Sequence, residues 1–358
     1  MKTTVRKIAA VLLIALVVLG GVLFLNSSIE PLAWTPPPMP ERTGAYADDD
    51  KMKPIEWWAK DLIGPEAITV LPDGALLAGL KDGRVVKLKV GSDAPEVLVD
   101  TKGRPLAIEQ HPDGRLIICD AHKGLLAWNP ADGTMETLAS GFGGVPFRFV
   151  DDLVIAKDGT IFFTDASARN SIERFTEDLL EHHTTGRVLK WVPATKEVAL
   201  VADGFSFSNG VALSEDESFL VVAETGGYRL WKIPLTGSNA GKKEVFLDSL
   251  PAFPDNVRRA ISRKGFWVAL GSPRKPEVDA LAGYPFIRRL VGGLPRPLMP
   301  KAARHAWVML VDESGKPVES FQHDGADSYS PIACATESDG WLYLGSFARE
   351  GVARFKLP

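Results

Sequence analysis

Two hydrophobic patterns divide the chain. Residues 8–25 form an uncharged, mostly apolar run of 18 positions, preceded by Lys2, Arg6 and Lys7. A helix of that length can span the hydrocarbon core of a bilayer. It is longer than the apolar core of a cleaved signal, and 26–31 is a poor cleavage site, so a retained anchor over 1–30 is expected. The positive flank predicts an N-terminus in the cytoplasm and the remainder of the chain outside it. Residues 31–50 hold five prolines and end in Asp48, Asp49 and Asp50. They have no apolar period, which predicts an extended linker over 31–58.

From about residue 59 the pattern changes to short alternating strands between polar turns. One unit, an Asp-Gly-type turn followed by a β-branched or aromatic strand, recurs at 72–80, 112–120, 157–165, 215–223, 263–271 and 338–346. Asp-Gly supplies the positive φ of a tight turn, and the residues after it favour a pleated, half-buried surface. Six copies at this spacing predict an all-β fold over 59–358, a six-bladed β-propeller of four-stranded blades. Two intervals are longer and predict helical insertions at 169–185 and 273–305, with helix-like patterns over 172–182 and 278–291. Such insertions serve as lids, partner surfaces or plain decoration, and the second has the composition to touch a membrane surface.

The turns also act as a ruler. Eight residues before the turn position lie Glu66, Asp151 and Asn209 in the first, third and fourth copies. In the fifth copy Asp255 and Asn256 lie ten and nine before Gly265, a slip that one bulge absorbs. Leu106 and Ile332 occupy the level in the other two. Four blades thus present side-chain oxygens at one depth of the axial channel. Such a ring either gathers a cation, for which carboxylate and amide oxygens suit Ca²⁺ better than Zn²⁺, or hydrogen-bonds around ordered water.

Composition changes this picture little. The chain is 45% apolar and 24% charged with a net charge of −4, and no long basic run or basic-aromatic motif points to nucleic acid. Cys119 and Cys334 have no zinc or redox spacing and read as buried thiols, a disulfide between them remaining open. His111, His182, His183 and His323 fall in turns or insertions and are expected at the surface; the place of His305 is left open. Oligomeric state is also open, since the anchor helix shows no small-xxx-small face.

The motifs Gly64-Pro-Glu-Ala, Arg104-Pro-Leu-Ala-Ile, Cys119-Asp-Ala-His-Lys-Gly-Leu-Leu, Phe207-Ser-Asn-Gly-Val-Ala-Leu-Ser and Leu250-Pro-Ala-Phe-Pro-Asp-Asn-Val together resemble the strictosidine synthase-like family. That family is related to the gluconolactonases and paraoxonases. The resemblance implies an axial Ca²⁺ whose ligands fall on Glu66, Asp151, Asn209, Asp255 and Asn256. The family more often has Asn where Asp151 stands. It also implies hydrolysis of a lactone or aryl ester, with His122 or Asp255 as the base; His122 otherwise only packs at the channel mouth. A non-catalytic, calcium-stabilised propeller that binds a partner or small molecule is the alternative. The family's namesake condensation is not expected, because 329–334 offer no glutamate where that reaction needs one.

Overall fold

The structure, a computed structural model, describes residues 2–358. Six four-stranded antiparallel sheets surround a central axis as the blades of a β-propeller. Blades 1 to 5 occupy 68–100, 105–139, 150–205, 208–247 and 252–323, each running outward from its innermost strand. Blade 6 is closed by both ends of the propeller chain. Its three inner strands come from 334–356, and its outermost strand, Ile55–Ile63, pairs with Glu350–Lys356. The propeller therefore starts at Ile55, inside the segment that its composition marks as linker. Each innermost strand pairs on one side only, so its other, short edge lines the axial channel.

Each repeated turn joins the first and second strands of a blade. In the fourth copy Glu217 takes the place of glycine, at φ 58°. A left-handed non-glycine residue costs roughly 1–2 kcal/mol; here its carboxylate accepts the Lys157 N–H at 3.0 Å, tying blade 4 to blade 3. Between blades the core alternates small residues near the axis, such as Ala67, Ala107 and Ala212, with large ones further out, among them Trp267, Trp307, Phe163 and Phe321, all buried. Each large side chain so buried contributes about 1.5–3 kcal/mol. Cys119 and Cys334 are buried free thiols.

The insertions stand on one face of the disc. The first carries a 3₁₀ turn, Ile172–Arg174, and a short helix, Phe175–Glu181. The second carries helices Pro276–Asp279 and Pro285–Gly292 rather than one continuous helix. Pro285 opens the second of these, in the one helical position that tolerates a missing N–H. The N-terminal helix, Lys2–Asn26, runs outward from this face. The stretch that follows is extended, yet it is packed rather than free. Ile29 and Met52 are fully buried, Trp34 stacks on His182 with centroids 3.7 Å apart, and Arg274 donates to the Pro37 carbonyl at 2.8 Å. Its contacts are single anchors without a period, which is why composition alone suggests a loose linker.

Candidate functional site

The ring residues lie where the innermost strands begin, and there the ladders break. Strand register shifts between Val150 and Leu153, between Ser208 and Val211, and between Pro254 and Val257. Asp151, Asn209, Asp255 and Asn256 sit inside these irregularities, so their blades present them to the axis instead of to a neighbouring strand. Glu66 occupies the equivalent place just before Ile68–Val70. Blade 5 shows the same shift as blades 3 and 4, so its longer count comes not from a bulge but from the segment between Val257 and Gly265, which is two residues longer than its counterparts.

All five side chains are buried, none above 7% exposure. Four of their oxygens, Glu66 Oε2, Asn209 Oδ1, Asp255 Oδ1 and Asn256 Oδ1, have no hydrogen-bond partner. Buried polar atoms without partners are rare and each costs on the order of 1–3 kcal/mol. The carboxylates also repel one another. Burial, and then Glu66 and Asp255, push the Asp151 carboxyl well above its usual range. Burial and Glu66 do the same to Asp255, with the Asn209 amide partly opposing them. Glu66 is pushed up to about 7 by burial, against the pull of Arg104. Arg104 Nη2 stands 3.5 Å from Glu66 Oε2 and donates to the Gly64 carbonyl at 3.1 Å.

An arrangement of unpartnered oxygens and crowded carboxylates fits a hard cation, which takes six to eight oxygen ligands. Among the described residues no three His, Cys, Asp or Glu side chains form a metal-binding group by themselves. The amide oxygens of Asn209 and Asn256 would therefore be needed. Beside the ring lies an apolar wall of Leu106, Phe149 and Phe207, capped by Ile172 and Leu179 of the first insertion.

One residue beyond Asp151 the electrostatics reverse. Asp152 is fully buried but fully answered: Arg258 donates to it through Nη1 at 2.6 Å and Nη2 at 2.8 Å, and the Val211 N–H adds a third bond at 2.9 Å. This bidentate pair joins blades 3, 4 and 5. Half-buried Glu109 lies near it, its carboxyl raised to about 7 by burial, with Arg258 opposing and Asp152 reinforcing the rise. Three residues beyond the ring level stand Thr69, Glu109 and Arg258. The same count from the turns, carried one step deeper, would have exposed this second polar tier.

His122 lies apart from the ring. Its ring is exposed at the insertion face, with Nε2 2.6 Å from Glu173 Oε1 of the first insertion. Asp120, two residues earlier, is a structural cap whose carboxylate accepts the N–H groups of Arg104, His122 and Lys123. Asp165 and Glu224 end the second strands of blades 3 and 4 in the same way, receiving the N–H groups of Phe149 and Ser206. Three histidines expected at the surface are not there. His111 and His323 are buried, and His182 lies under Trp34, where burial pushes its pKa down to about 3. His305 is buried with Nε2 2.9 Å from Gln322. His183 is half-buried, its Nε2 2.9 Å from the Glu30 carbonyl oxygen.

Fold and ring together define a six-bladed propeller with buried, unpartnered side-chain oxygens at its axis. The profile described as strictosidine synthase matches residues 151–237, and that of the strictosidine synthase-like N-terminal region matches 44–88. Rat adipocyte plasma membrane-associated protein is 34% identical, over 96% of this chain and 97% of its own length. The chain belongs to the strictosidine synthase-like family, in common with the adipocyte plasma membrane-associated proteins. Among solved structures, a gluconolactonase from Xanthomonas campestris superposes with a TM-score of 0.60 at 17% identity, covering 85% of this chain and 89% of that one. Regucalcin from Agrobacterium tumefaciens, a calcium-binding protein, superposes with a TM-score of 0.58 at 16% identity, covering 82% and 89%. At these identities the two structures share the fold.

Proposed function

We propose that this protein is a membrane-anchored, calcium-dependent hydrolase of lactones or aryl esters. The observation that carries the reading is the set of four unpartnered oxygens on Glu66, Asn209, Asp255 and Asn256 in the buried axial ring. With Asp151 they would hold the ion. Bound there, Ca²⁺ would polarise the substrate carbonyl and stabilise the oxyanion formed on attack. Asp255, a carboxylate of the ring itself, is the first choice to accept the proton of the attacking water. His122, exposed on the insertion face with Nε2 held by Glu173, is the second. The apolar wall of Leu106, Phe149 and Phe207 would take the acyl or aryl part and exclude water. The helix with its basic flank places the N-terminus in the cytoplasm and the propeller on the other side of the bilayer in this reading.

A second reading is favoured by the closure of the site, since every ring residue is buried: a non-catalytic propeller in which Ca²⁺ only braces the channel. A panel of phenyl acetate with γ- and δ-lactones separates the two. The hydrolase reading expects turnover that a Ca²⁺ chelator removes and that a Glu66→Gln, Asn209→Ala double variant abolishes while remaining folded. Chelator-sensitive thermal stability without any turnover across the panel would leave the bracing role alone.

A further inference from the structure

Both insertions leave the propeller from the ends of second strands, which pair with the beginnings of the first strands; Val150 faces Asp165 and Ala252 faces Pro273. They therefore stand at the ring end of the channel. The N-terminal helix docks on the same end. Phe24 stacks on Phe286 with centroids 5.9 Å apart, and the Arg289 guanidinium covers Phe24 at 4.1 Å. Gly293 permits this approach, because a Cβ there would collide with the Leu23 carbonyl; at Gly292 it would collide with the Ile29 side chain. Past the helix, Glu30 pairs with Arg169 at 2.8 Å and its N–H donates to Glu181. The Leu32 N–H donates to the Glu181 carbonyl at 2.9 Å. The exit of the helix is thus fixed to the ring end by both insertions.

Around that exit the surface is apolar. Tyr284 is 62% exposed, Phe286 60%, Leu298 67% and Leu32 48%. The second insertion, 273–305, carries seven Lys and Arg against two Asp and Glu, in a chain whose net charge is −4. Arg296, Lys301 and Arg304 are exposed beside the apolar side chains. Exposed aromatic and aliphatic residues with a basic fringe, continuous with a helix long enough to cross a bilayer, have the chemistry of a headgroup boundary containing anionic lipid.

We propose that 284–304 lies in the interface of the same bilayer that holds the N-terminal helix. The ring end of the channel then faces the membrane, and the site receives amphiphilic molecules from the lipid phase. This inference rests on the anchor reading of the helix and not on hydrolysis. It is tested on the full chain in vesicles of phosphatidylcholine and phosphatidylglycerol, with one spin label at a time on Tyr284→Cys, Leu298→Cys, Leu16→Cys or Ile261→Cys. Cys119 and Cys334 are buried and leave the label to the introduced thiol. Ile261, 67% exposed, follows the inner strand of blade 5 at the opposite end of the channel. Collision with oxygen and with a water-soluble nickel chelate is then compared. The expected result is that labels at 284 and 298 meet oxygen in preference to nickel, as at 16, whereas the label at 261 meets nickel. Labels at 284 and 298 that match 261 while 16 is in lipid would overturn the inference and leave the anchor intact. Labels at 284 and 298 shielded from both reagents would overturn it in favour of a protein contact. A label at 16 that meets nickel would remove the anchor reading and this inference with it.

Discussion

Asp151 and Asp152 are neighbours in one strand, both buried, and their carboxylates meet opposite environments. Asp152 receives two guanidinium bonds and a backbone N–H. The Asp151 carboxyl is pushed far up by burial and then by the repulsion of Glu66 and Asp255. Alternation along a strand turns them to different surroundings, so one residue of spacing separates a group that holds blades together from one in the unpaired ring. The lesson is that polar residues at a propeller axis cannot be counted as one class. Those whose bonds close within the protein report on the fold, and those left open report on what the channel holds.

The largest expected effect comes from breaking the closed side of this comparison. Arg258→Leu strands Asp152 in the interior and should cost about 3–5 kcal/mol in urea unfolding. Adding Asp152→Leu removes the stranded charge, so the double variant should be more stable than Arg258→Leu alone; a double variant that loses the sum of both would contradict the pairing. The open side should respond with the opposite sign. In chelator at neutral pH, Asp151→Asn relieves the crowding of Glu66 and Asp255 and should raise the urea midpoint. The same variant should show a smaller rise in melting temperature on adding Ca²⁺ than the parent. A loss of stability in chelator would show that Asp151 is already satisfied.

The smallest effect belongs to a charge pair nearer water. His323 lies between Asp50, 2.6 Å from Nδ1, and Asp327, 3.0 Å from Nε2, and its pKa is raised by these partners. A raised histidine contributes stability that is complete below its unfolded value near 6.5 and is lost as pH rises through the folded one. His323→Gln should therefore flatten the stability profile above pH 6.5, by less than about 1 kcal/mol because both carboxylates are exposed. An unchanged profile would remove the Asp50 tether from the account.

Much of the fold was legible because it repeats. The turns at Gly74, Gly114, Gly159, Glu217, Gly265 and Gly340 each separate a first from a second strand, and a count from them reaches the axial level without any knowledge of contacts. The irregularity of blade 5 was legible as a break in a regular count, but its cause, two extra residues in the turn after Arg259 and not the expected bulge, was not. The long insertions were visible as excess length, although the break before Pro285 in the second was not. The pairing of Arg258 with Asp152 was missed because the two lie 106 residues apart in different blades, a relation that leaves no local trace. The docking of 27–52 was hidden because Ile29, Trp34 and Met52 bind singly, without the period by which an element announces itself.

The sequence by itself determined the strand period, the number of blades, the apolar N-terminal helix and the depth at which Glu66, Asp151, Asn209 and Asp255 stand. These follow from local chemistry, namely turn residues, alternation and uninterrupted hydropathy, which act over a few positions. Only the tertiary structure decided which buried carboxylates are answered, where His122 points, and that the helix leaves from the ring end of the channel. Those outcomes depend on which blades become neighbours when the ring closes, and closure joins residues that the chain keeps far apart.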